Sequence, residues 1–299
     1  MQKILICTQK VDRKDPILGF FHRWIEEFAK SCDRVTVICL QKGEYNFPKN
    51  VEILSLGKEG GRSRLKYLFN FYKYIWEKRK DYDAVFVHMN PEYIILGGLP
   101  WKVMGKRITL WYAHGKVNLK LRVAEKITDV AFASSASGFR LNSKKLKIVG
   151  QGIDTNVFFP SDFCGTGKNG NGQKKIVFGN VGRISKAKHI DEMVDSVSKA
   201  LADVNWRLDI VGEAVTKEDG EYFSALKEKY VDLIKNERVR FLGTKTQAEL
   251  PDFYRSLNFF VNFGGTGSMD KVALEAMACG APVVSSNEAY KEMLDKYGL

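Results

Sequence analysis

Short apolar runs alternate with segments of helical periodicity along the first half of the chain. Strands that alternate with helices indicate crossover connections and a parallel sheet. The runs are apolar throughout, as expected for strands that helices cover on both faces. The predicted strands are 3–8, 35–40, 51–56, 84–88, 107–113, 130–134 and 147–149, and the predicted helices are 20–30, 67–80, 91–104 and 119–127.

The alternation restarts after 161–175, a stretch rich in glycine, asparagine and lysine that has the composition of a linker. Gly165, Gly167 and Gly170 happen to satisfy the spacing G-x-G-x-x-G. No strand precedes them and a strand rather than a helix follows, which excludes a dinucleotide-binding motif. The second half predicts strands at 176–181, 206–211, 239–242, 259–262 and 282–285, and helices at 189–203, 222–235 and 247–256.

The two halves therefore predict an α/β fold of two Rossmann-like domains, 1–160 and 176–299, joined by the linker 161–175 and facing a cleft. In open parallel sheets a ligand binds beyond the carboxyl ends of the strands. The loops that follow the strands are therefore the places to look for chemistry.

One such loop begins the stretch Gly264–Ser286, which predicts a glycine-rich loop, a short helix and a buried strand. Ser268 or Asp270 can cap the helix, and Gly280 can supply the left-handed residue that ends it. Glu275 is expected to point away from the apolar stripe. The helix and the loop can present backbone N–H groups to a phosphate-bearing ligand. The stripe consists of Val272, Ala273, Ala276 and Met277.

Composition is that of an ordinary soluble protein of 299 residues, with no apolar run of eighteen residues and no secretory signal. The five cysteines are odd in number and lack metal-type spacing. Cys7, Cys39 and Cys279 lie in or beside apolar segments, which predicts small buried thiols in a reducing compartment. The expected location is the cytoplasm.

Charge is concentrated in the first half, where residues 1–170 hold 29 Lys and Arg against 16 Asp and Glu. Residues 171–299 hold 18 against 19. The first half therefore favours an acidic partner such as anionic lipid, nucleic acid or a phosphorylated substrate. The segment 67–80 is aromatic and ends in three cations, which is typical of a membrane-surface helix. A core helix whose basic last turn complements its dipole fits the same residues.

Fixed positive charge follows the first strand of the second half. Gly182 and Arg183 come directly after this strand, and Lys188 lies five residues further on. A guanidinium fork and an ammonium group can share a diphosphate. A solvated charge run is the alternative. The glycine loop near Gly264 favours the diphosphate, because both loops belong to carboxyl ends of the same predicted sheet.

Three other polar residues are candidates for a ligand site. His114 follows an apolar strand and precedes a glycine, and His88 has a similar setting. Either histidine can instead simply bond a backbone carbonyl. Glu275 can accept hydrogen bonds from a ribose diol, or it can be a surface carboxylate weakly paired with Lys271 one turn earlier.

These segments together resemble a retaining glycosyltransferase of family four, which has the GT-B fold. The similarity covers nearly the whole chain and is most specific in the second half. It is carried by NVGRISKAKHIDEMVDSVSKA, LDIVGE, VRFLGTKTQAELPDFYRSLNFFVN, LEAMACGAPVVSSN and QGIDTNVFFP, and more loosely by the loop with Gly19, VTVICL and WYAHGK.

The resemblance implies roles for individual residues. Arg183 and Lys188 would hold the donor diphosphate and stabilise the charge of the leaving group, and Glu275 would bind the donor ribose. His114 would lie near the transferred sugar and act in catalysis. Such enzymes are usually metal-independent and need no cofactor beyond the nucleotide-sugar substrate. The further implied donor contacts are Gly19, Gly182, Gly243, Gly267, Ser268, Met269, Asp270, Lys271 and Val272.

Two features depart from the family pattern. That pattern has a Glu eight residues before Glu275, where this chain has Gly267. Family members also continue for a last strand and further helices beyond the residue where this chain ends. The resemblance therefore implies that the second domain is incomplete and the chain is C-terminally truncated.

The sequence thus predicts a cytoplasmic glycosyltransferase that retains the configuration of the sugar. Its partners would be a nucleotide-sugar donor, a saccharide or lipid-linked acceptor bound on the side of the first domain, and an anionic surface at the inner face of a membrane. The alternative is a catalytically degenerate protein that binds nucleotide-sugar or polyanions. Nucleic acid is not an expected partner, because no RNA-binding or helix-turn-helix signature is present.

Overall fold

The chain forms two compact units, Met1–Gly150 and Gln151–Leu299. The computed structural model describes residues 2–15, 17–61, 63–161, 175–264 and 269–298. The division comes earlier than the boundary expected near residue 160, because Phe158 is buried in the core of the second unit. Of the predicted linker, the part from 162 to 174 lies outside the described residues.

The first unit is a parallel sheet of seven strands in the order β3-β2-β1-β4-β5-β6-β7. Every strand is joined to a neighbour in parallel register, as the alternation of strands and helices predicts. The strands are β1 Lys3–Val11, β2 Arg34–Lys42, β3 Val51–Ser55, β4 Ala84–His88, β5 Arg107–Trp111, β6 Val130–Ala133 and β7 Leu146–Ile148, and the helices are α1 Phe20–Ser31, α2 Arg64–Glu77, α3 Pro91–Val103 and α4 Leu119–Ile127.

Both faces of the first sheet are covered. Leu5 and Cys7 of β1 pack with side chains of α2 and α3, whereas Ile6 packs on the opposite face with Phe21 and Ile25 of α1. Leu5, Ile6 and Cys7 have no exposed surface. The alternation of side chains along a strand places neighbouring residues on opposite faces, so an unbroken apolar run serves two cores.

The second unit repeats this plan with five parallel strands in the order β10-β9-β8-β11-β12. The chain order reverses between β8 and β11, which lie side by side. The strands are β8 Ile176–Val181, β9 Trp206–Val211, β10 Val239–Phe241, β11 Phe259–Asn262 and β12 Val283–Ser285, and the helices are α5 Ile190–Ala200, α6 Lys217–Lys229, α7 Val231–Lys235, α8 Leu250–Arg255, α9 Lys271–Ala278 and α10 Glu288–Tyr297.

One predicted helix of the second unit differs in the structure. The segment expected as a single helix at 222–235 is two helices, α6 and α7, which meet at Tyr230. The first begins earlier than expected because Thr216 and Asp219 form a capping box, each side chain bonding the backbone of the other. None of the described helices is long and apolar enough to cross a membrane.

Candidate functional site

The candidate site lies at the carboxyl end of the second sheet, where β8 and β11 are neighbours. This is the topological switch point of the sheet, and open α/β sheets bind ligands there. The loop after β8 contains the predicted residues from Gly182 to Lys188. The loop after β11 begins at Phe263 and leads to α9.

Glycines join the ends of three neighbouring strands at this edge. The Gly182 N–H donates to Val211 O over 2.9 Å, and the Gly212 N–H donates to Gly243 O over 2.7 Å. Gly212 has a φ of +142°, and a Cβ atom there would lie 1.9 Å from the carbonyl oxygen of Gly182. No other residue fits this approach. Because these three turns consist of glycines, backbone atoms rather than side chains line this edge of the sheet.

Lys188 and Asp270 form the electrostatic centre of the site. The Lys188 Nζ lies 2.7 Å from the Asp270 Oδ2, and the two side chains are 19% and 15% exposed. The Asn262 side-chain amide, at the end of β11, donates to the same carboxylate oxygen over 3.1 Å. A Cβ atom on Gly264 would lie 3.0 Å from the Asp270 Oδ2 and 3.4 Å from the Lys188 Nζ. The backbone at Gly264 thus passes directly beside the ion pair.

The side chain of Asp270 does not cap α9, contrary to one of the two capping candidates from the sequence. Its carboxylate is turned to the cation and the amide across the sheet edge, because an ammonium partner stabilises it more than a backbone N–H does. Gly280 does end the helix region with a φ of +85°, as predicted.

Arg183 lies at the same edge but has a different partner. Its Nε lies 3.7 Å from the Asp219 Oδ2, and its side chain is 46% exposed. Burial raises the pKa of the Asp219 carboxyl, but the hydrogen bonds from Thr216 and the nearby Arg183 charge outweigh it, and the pKa lies below its ordinary value. The guanidinium is therefore accessible and loosely held.

Glu275 is buried, at 3% exposure, on the side of α9 that faces α8. The alternative interpretation of Glu275 as a surface carboxylate is therefore wrong. The Tyr254 hydroxyl of α8 donates to the Glu275 Oε2 over 3.0 Å. Burial raises the pKa of Glu275, an effect that Lys271 and the Tyr254 hydrogen bond oppose. Such a carboxylate is held in place by its neighbours.

A cavity of about 460 Å³ opens beside these glycines, at the ends of β9 and β10. Its floor and walls combine apolar side chains with two lysines and one glutamate, Glu213. A planar group with a few polar atoms fits such a lining. The lining residues are Gly212, Glu213, Phe223, Lys227, Val231, Ile234, Lys235, Phe241 and Gly243.

The remaining predicted donor contacts belong to the start of α9. Met269 is 8% exposed and packs in the core with Val272, so its side chain is not offered to a ligand. Burial lowers the pKa of Lys271, and the Glu275 charge opposes this. Gly267 and Ser268 lie outside the residues that the structure describes.

In the first unit, His114 and Gly19 follow different strands. His114 comes after β5 and is exposed, and its Nδ1 accepts the Lys116 N–H over 3.1 Å. Gly19 precedes α1, and a Cβ atom there would lie 2.5 Å from the carbonyl oxygen of Asp15. This contact alone accounts for a glycine, and the predicted parts of His114 and Gly19 in donor binding stay predictions.

His88 is a core histidine. It is 3% exposed, stacks on Phe21 with ring centroids 4.1 Å apart, and its Nδ1 lies 3.3 Å from the Thr8 Oγ1. The hypothesis that His88 belongs to a ligand site is therefore not supported, because aromatic rings surround this imidazole.

The carboxyl end of the first sheet holds a second pocket, of about 380 Å³. It is mainly apolar and aromatic, with a few polar groups at its edge, and α2 and α3 contribute most of its wall. The lining residues are Gln9, Leu40, Leu56, Arg64, Tyr67, Leu68, Phe71, Asn90, Glu92, Tyr93 and Leu96.

Across the described ranges, no group of three or more His, Cys, Asp and Glu side chains is arranged to hold a metal ion. An Asp-x-Asp sequence occurs at Asp81–Asp83, before β4 and so at the amino end of the first sheet. Asp81 there lies 3.2 Å from the Arg34 Nη2.

Three contributors were not found from the sequence: Asn262, Tyr254 and the Gly212 contact. Asn262 is 1% exposed and is the last residue of a parallel strand, so the rule that selected His114 could also have selected it. Tyr254 and Gly212 act through contacts between distant segments, which no local pattern reveals.

Comparisons with known proteins show what this chain is similar to. Residues 166–294 match the family model of glycosyl transferases group 1. This matched range covers most of the second unit. N-acetyl-alpha-D-glucosaminyl L-malate synthase of Bacillus anthracis is 24% identical over 70% of this chain and 58% of its own length.

Two further relatives are similar over about half of this chain. The lipopolysaccharide core biosynthesis mannosyltransferase of Rhizobium meliloti is 33% identical over 49% of this chain and 42% of its own length. Mannosylfructose-phosphate synthase of Agrobacterium fabrum is 28% identical over 49% of this chain and 33% of its own length. The matches thus span between a third and three fifths of these curated relatives.

Solved structures match nearly the whole chain in fold. Anabaena HepE in complex with UDP and glucose superimposes with a TM-score of 0.75 at 17% identity, over 98% of this chain and 83% of that one. Sucrose-phosphate synthase of Thermosynechococcus elongatus gives 0.69 at 17% identity, over 95% and 81%. The α/β fold of two Rossmann-like domains is therefore confirmed as matching GT-B glycosyltransferase structures.

Proposed function

We propose that this chain, whose residues 166–294 match the family model of group 1 glycosyl transferases, transfers a sugar from a nucleoside-diphosphate donor to a saccharide or lipid-linked acceptor with retention of configuration. The observation that carries the proposal is the Lys188–Asp270 pair at the switch point of the second sheet. An exposed guanidinium and a glycine-lined backbone edge lie at the same end of that sheet.

The diphosphate would be recognised by exchange of partners. The Asp270 carboxylate occupies the position next to the Lys188 ammonium that an anionic oxygen can take. A donor phosphate would displace it, and Asp270 would keep its hydrogen bond from Asn262. Arg183 can turn away from Asp219 because their contact is long and half-exposed. Two cations then face two phosphates.

The leaving group explains why these cations matter for catalysis. When the bond between the anomeric carbon and the phosphate oxygen breaks, the nucleoside diphosphate gains negative charge. Fixed cations at that place stabilise the transition state more than the ground state. Retention would follow if the acceptor hydroxyl attacks from the leaving-group face and gives its proton to the donor phosphate, with His114 near the sugar.

The nucleoside would occupy the rest of the edge. The cavity at the ends of β9 and β10 is large enough for a base. Glu275 would accept hydrogen bonds from the ribose hydroxyls with the oxygen that Tyr254 does not engage. The complex of HepE with UDP and glucose supports UDP as the first nucleotide to test. We further propose that the reaction needs no metal ion and occurs in the cytoplasm, at the inner face of a membrane.

Calorimetric titration tests the donor site directly. We expect UDP, GDP or ADP to bind with micromolar affinity, and the matching nucleoside to bind at least tenfold more weakly, since two charge-assisted contacts are lost. Lys188→Ala should weaken the diphosphate and leave the nucleoside unaffected. Lys186→Ala, an exposed cation of the same turn, is the matched control. Equal affinity for nucleoside and nucleoside diphosphate would contradict the proposal.

A catalytically degenerate binding protein is the second candidate, favoured by Gly267 in place of the family's first Glu. The two candidates differ in one measurement. Nucleotide-sugar that binds but is neither hydrolysed nor transferred, over hours and with a panel of acceptors, would support the binding protein.

A further inference from the structure

One side of α2 exposes large apolar side chains to solvent. Leu65, Phe69, Tyr72 and Trp76 are 82%, 69%, 39% and 63% exposed. Their spacing of four, three and four residues puts them in a single stripe along the helix. The opposite side carries Phe71 and Ile75, which are buried. The stripe is thus not part of the core.

A second stripe on α3 extends the first. Ile95, Leu99 and Val103 are 38%, 75% and 79% exposed and lie four residues apart. The two helices are adjacent, because the Tyr72 hydroxyl donates to the carbonyl oxygen of Leu96 over 3.0 Å. We call these seven side chains the α2–α3 face. An apolar face of this kind on a soluble domain marks an interaction site.

The charge around the face selects the kind of partner. Between Arg64 and Lys80 the chain has six cations and one acid, Glu77, and one of the cations, Lys78, pairs with Glu52 of β3. The acid lies 3.9 Å from Lys73, and the Arg79 guanidinium stacks on Trp76 at 4.4 Å from the ring centroid. Aromatic rings with cations at their edge suit the boundary between lipid headgroups and acyl chains. The positive charge would have no complement on an apolar protein surface, so it favours lipid as the partner.

We propose that the α2–α3 face docks the chain on an anionic lipid bilayer, with both helices lying in the plane of the interface. The apolar stripes enter the acyl boundary, and the cations contact anionic headgroups. Leu68 and Leu96 belong to these helices and also line the pocket of the first unit. One consequence rests on the proposed function: a lipid-linked acceptor held in the same bilayer would reach that pocket.

Vesicle sedimentation tests the docking without any nucleotide or acceptor. The chain should bind phosphatidylcholine vesicles that contain roughly 30 mol% phosphatidylglycerol, and bind pure phosphatidylcholine at least tenfold more weakly. The combined change Leu65→Ser, Phe69→Ser and Trp76→Ser should remove at least nine tenths of the binding. The combined change Lys73→Gln and Lys80→Gln should weaken it by about fivefold for each charge removed.

Matched controls keep the proposal falsifiable. Val204→Ser, Val215→Ser and Val284→Ser remove three exposed apolar side chains from the second unit and should leave binding unchanged. Thermal unfolding and nucleotide titration of the α2 variant show whether it is folded and has an intact donor site. They therefore separate failure of docking from failure of the proposed function. No binding to anionic vesicles, binding that the serine changes leave intact, or dimers that the same changes dissociate would each overturn the proposal.

Discussion

The carboxyl-end edges of the two sheets share a plan and differ in chemistry. In each unit the first strand lies between the second and fourth, so both sheets have a switch point. The edge of the second unit has glycine turns, the Lys188–Asp270 pair and the buried Glu275. The edge of the first unit has a core histidine, an apolar pocket and the α2–α3 face.

This difference teaches that topology provides a place to bind and the side chains decide what binds there. A backbone-lined edge with fixed charge suits a small, strongly anionic ligand. An aromatic pocket beside an exposed apolar face suits an amphiphile. In the proposed reaction, the edge of the second unit would bind the donor and the edge of the first unit would bind the acceptor.

The largest effect should come from Lys188→Ala, which removes the cation of the donor edge. We expect transfer to slow by about 10² to 10³-fold in kcat, the scale for loss of one group that stabilises developing negative charge. Steady-state kinetics with a responsive nucleotide-sugar measure it. Lys186→Ala should stay within about twofold of the unchanged chain. Equal rates for the two variants would show that Lys188 does not act in the transfer reaction.

The next largest effect should come from Gly212→Ala, which tests the close approach of the turns at Gly182 and Gly212. The new Cβ atom would lie 1.9 Å from the Gly182 carbonyl oxygen at a φ of +142°, so we expect a loss of roughly 3 kcal/mol in the free energy of unfolding. Urea unfolding followed by circular dichroism measures this loss.

The control for that substitution is another glycine of the same unit. Gly220 lies inside α6 with open space around it, so Gly220→Ala should stabilise the chain by about 0.5–1 kcal/mol. If both alanines had the same effect, the close approach of the two turns would not matter for stability.

Glu275→Gln should have an intermediate effect on binding and a clear effect on pH dependence. Loss of a charge-assisted acceptor should weaken nucleoside diphosphate binding by about tenfold. Burial raises the folded-state pKa of Glu275 above its ordinary 4.5, so the folded chain holds the proton more tightly than the unfolded chain does. The resulting stability is complete below pH 4.5 and is lost as pH rises through the folded pKa.

Urea midpoints measured between pH 4 and pH 8 check the sign of this linkage. The unchanged chain should lose stability over the part of that range that lies above pH 4.5, relative to the Glu275→Gln variant, in which the carboxyl is absent. A difference that grows in the opposite direction would mean that a charged partner, and not burial, dominates at Glu275.

The smallest effect should come from Leu68→Trp, which partly fills the pocket of the first unit. Nucleoside diphosphate affinity should stay within about twofold, because the pocket is on the other unit from the donor edge. The KM for a lipid-linked acceptor should rise by about fivefold, the scale for an imperfect fit in an apolar pocket. A change in nucleotide affinity instead would contradict the assignment of donor and acceptor to the edges of different units.

Most of the fold could be predicted from the sequence because apolar runs report burial directly. The strands β8, β9 and β11 match the predicted residues throughout, and Gly280 ends its helix region as expected. The start of α6 was missed because its first turns are polar, and a polar turn gives no apolar periodicity. There the Thr216–Asp219 capping box was the readable signal.

Less of the site could be predicted, because its contacts join residues far apart in the chain. The positions of Lys188 and Asp270 after their strands could be expected, but their direct pairing could not. For Glu275 the sequence left a ribose contact and a surface carboxylate open, since its neighbours along the helix do not reveal that Tyr254 of α8 bonds it. Local patterns report which face of an element is apolar and say little about what another element brings to the polar face.

The pairing of Lys188 with Asp270 also bears on how ionic strength affects the chain. The ammonium is already neutralised by an internal counterion, so at Lys188 donor binding exchanges one carboxylate for one phosphate and releases few ions to the solvent. Affinity for the donor should therefore change little with added salt. Docking of the α2–α3 face on anionic lipid has no such internal substitute and should weaken steeply as salt screens the headgroups. Added salt would thus release the chain from its surface while the donor site stays filled.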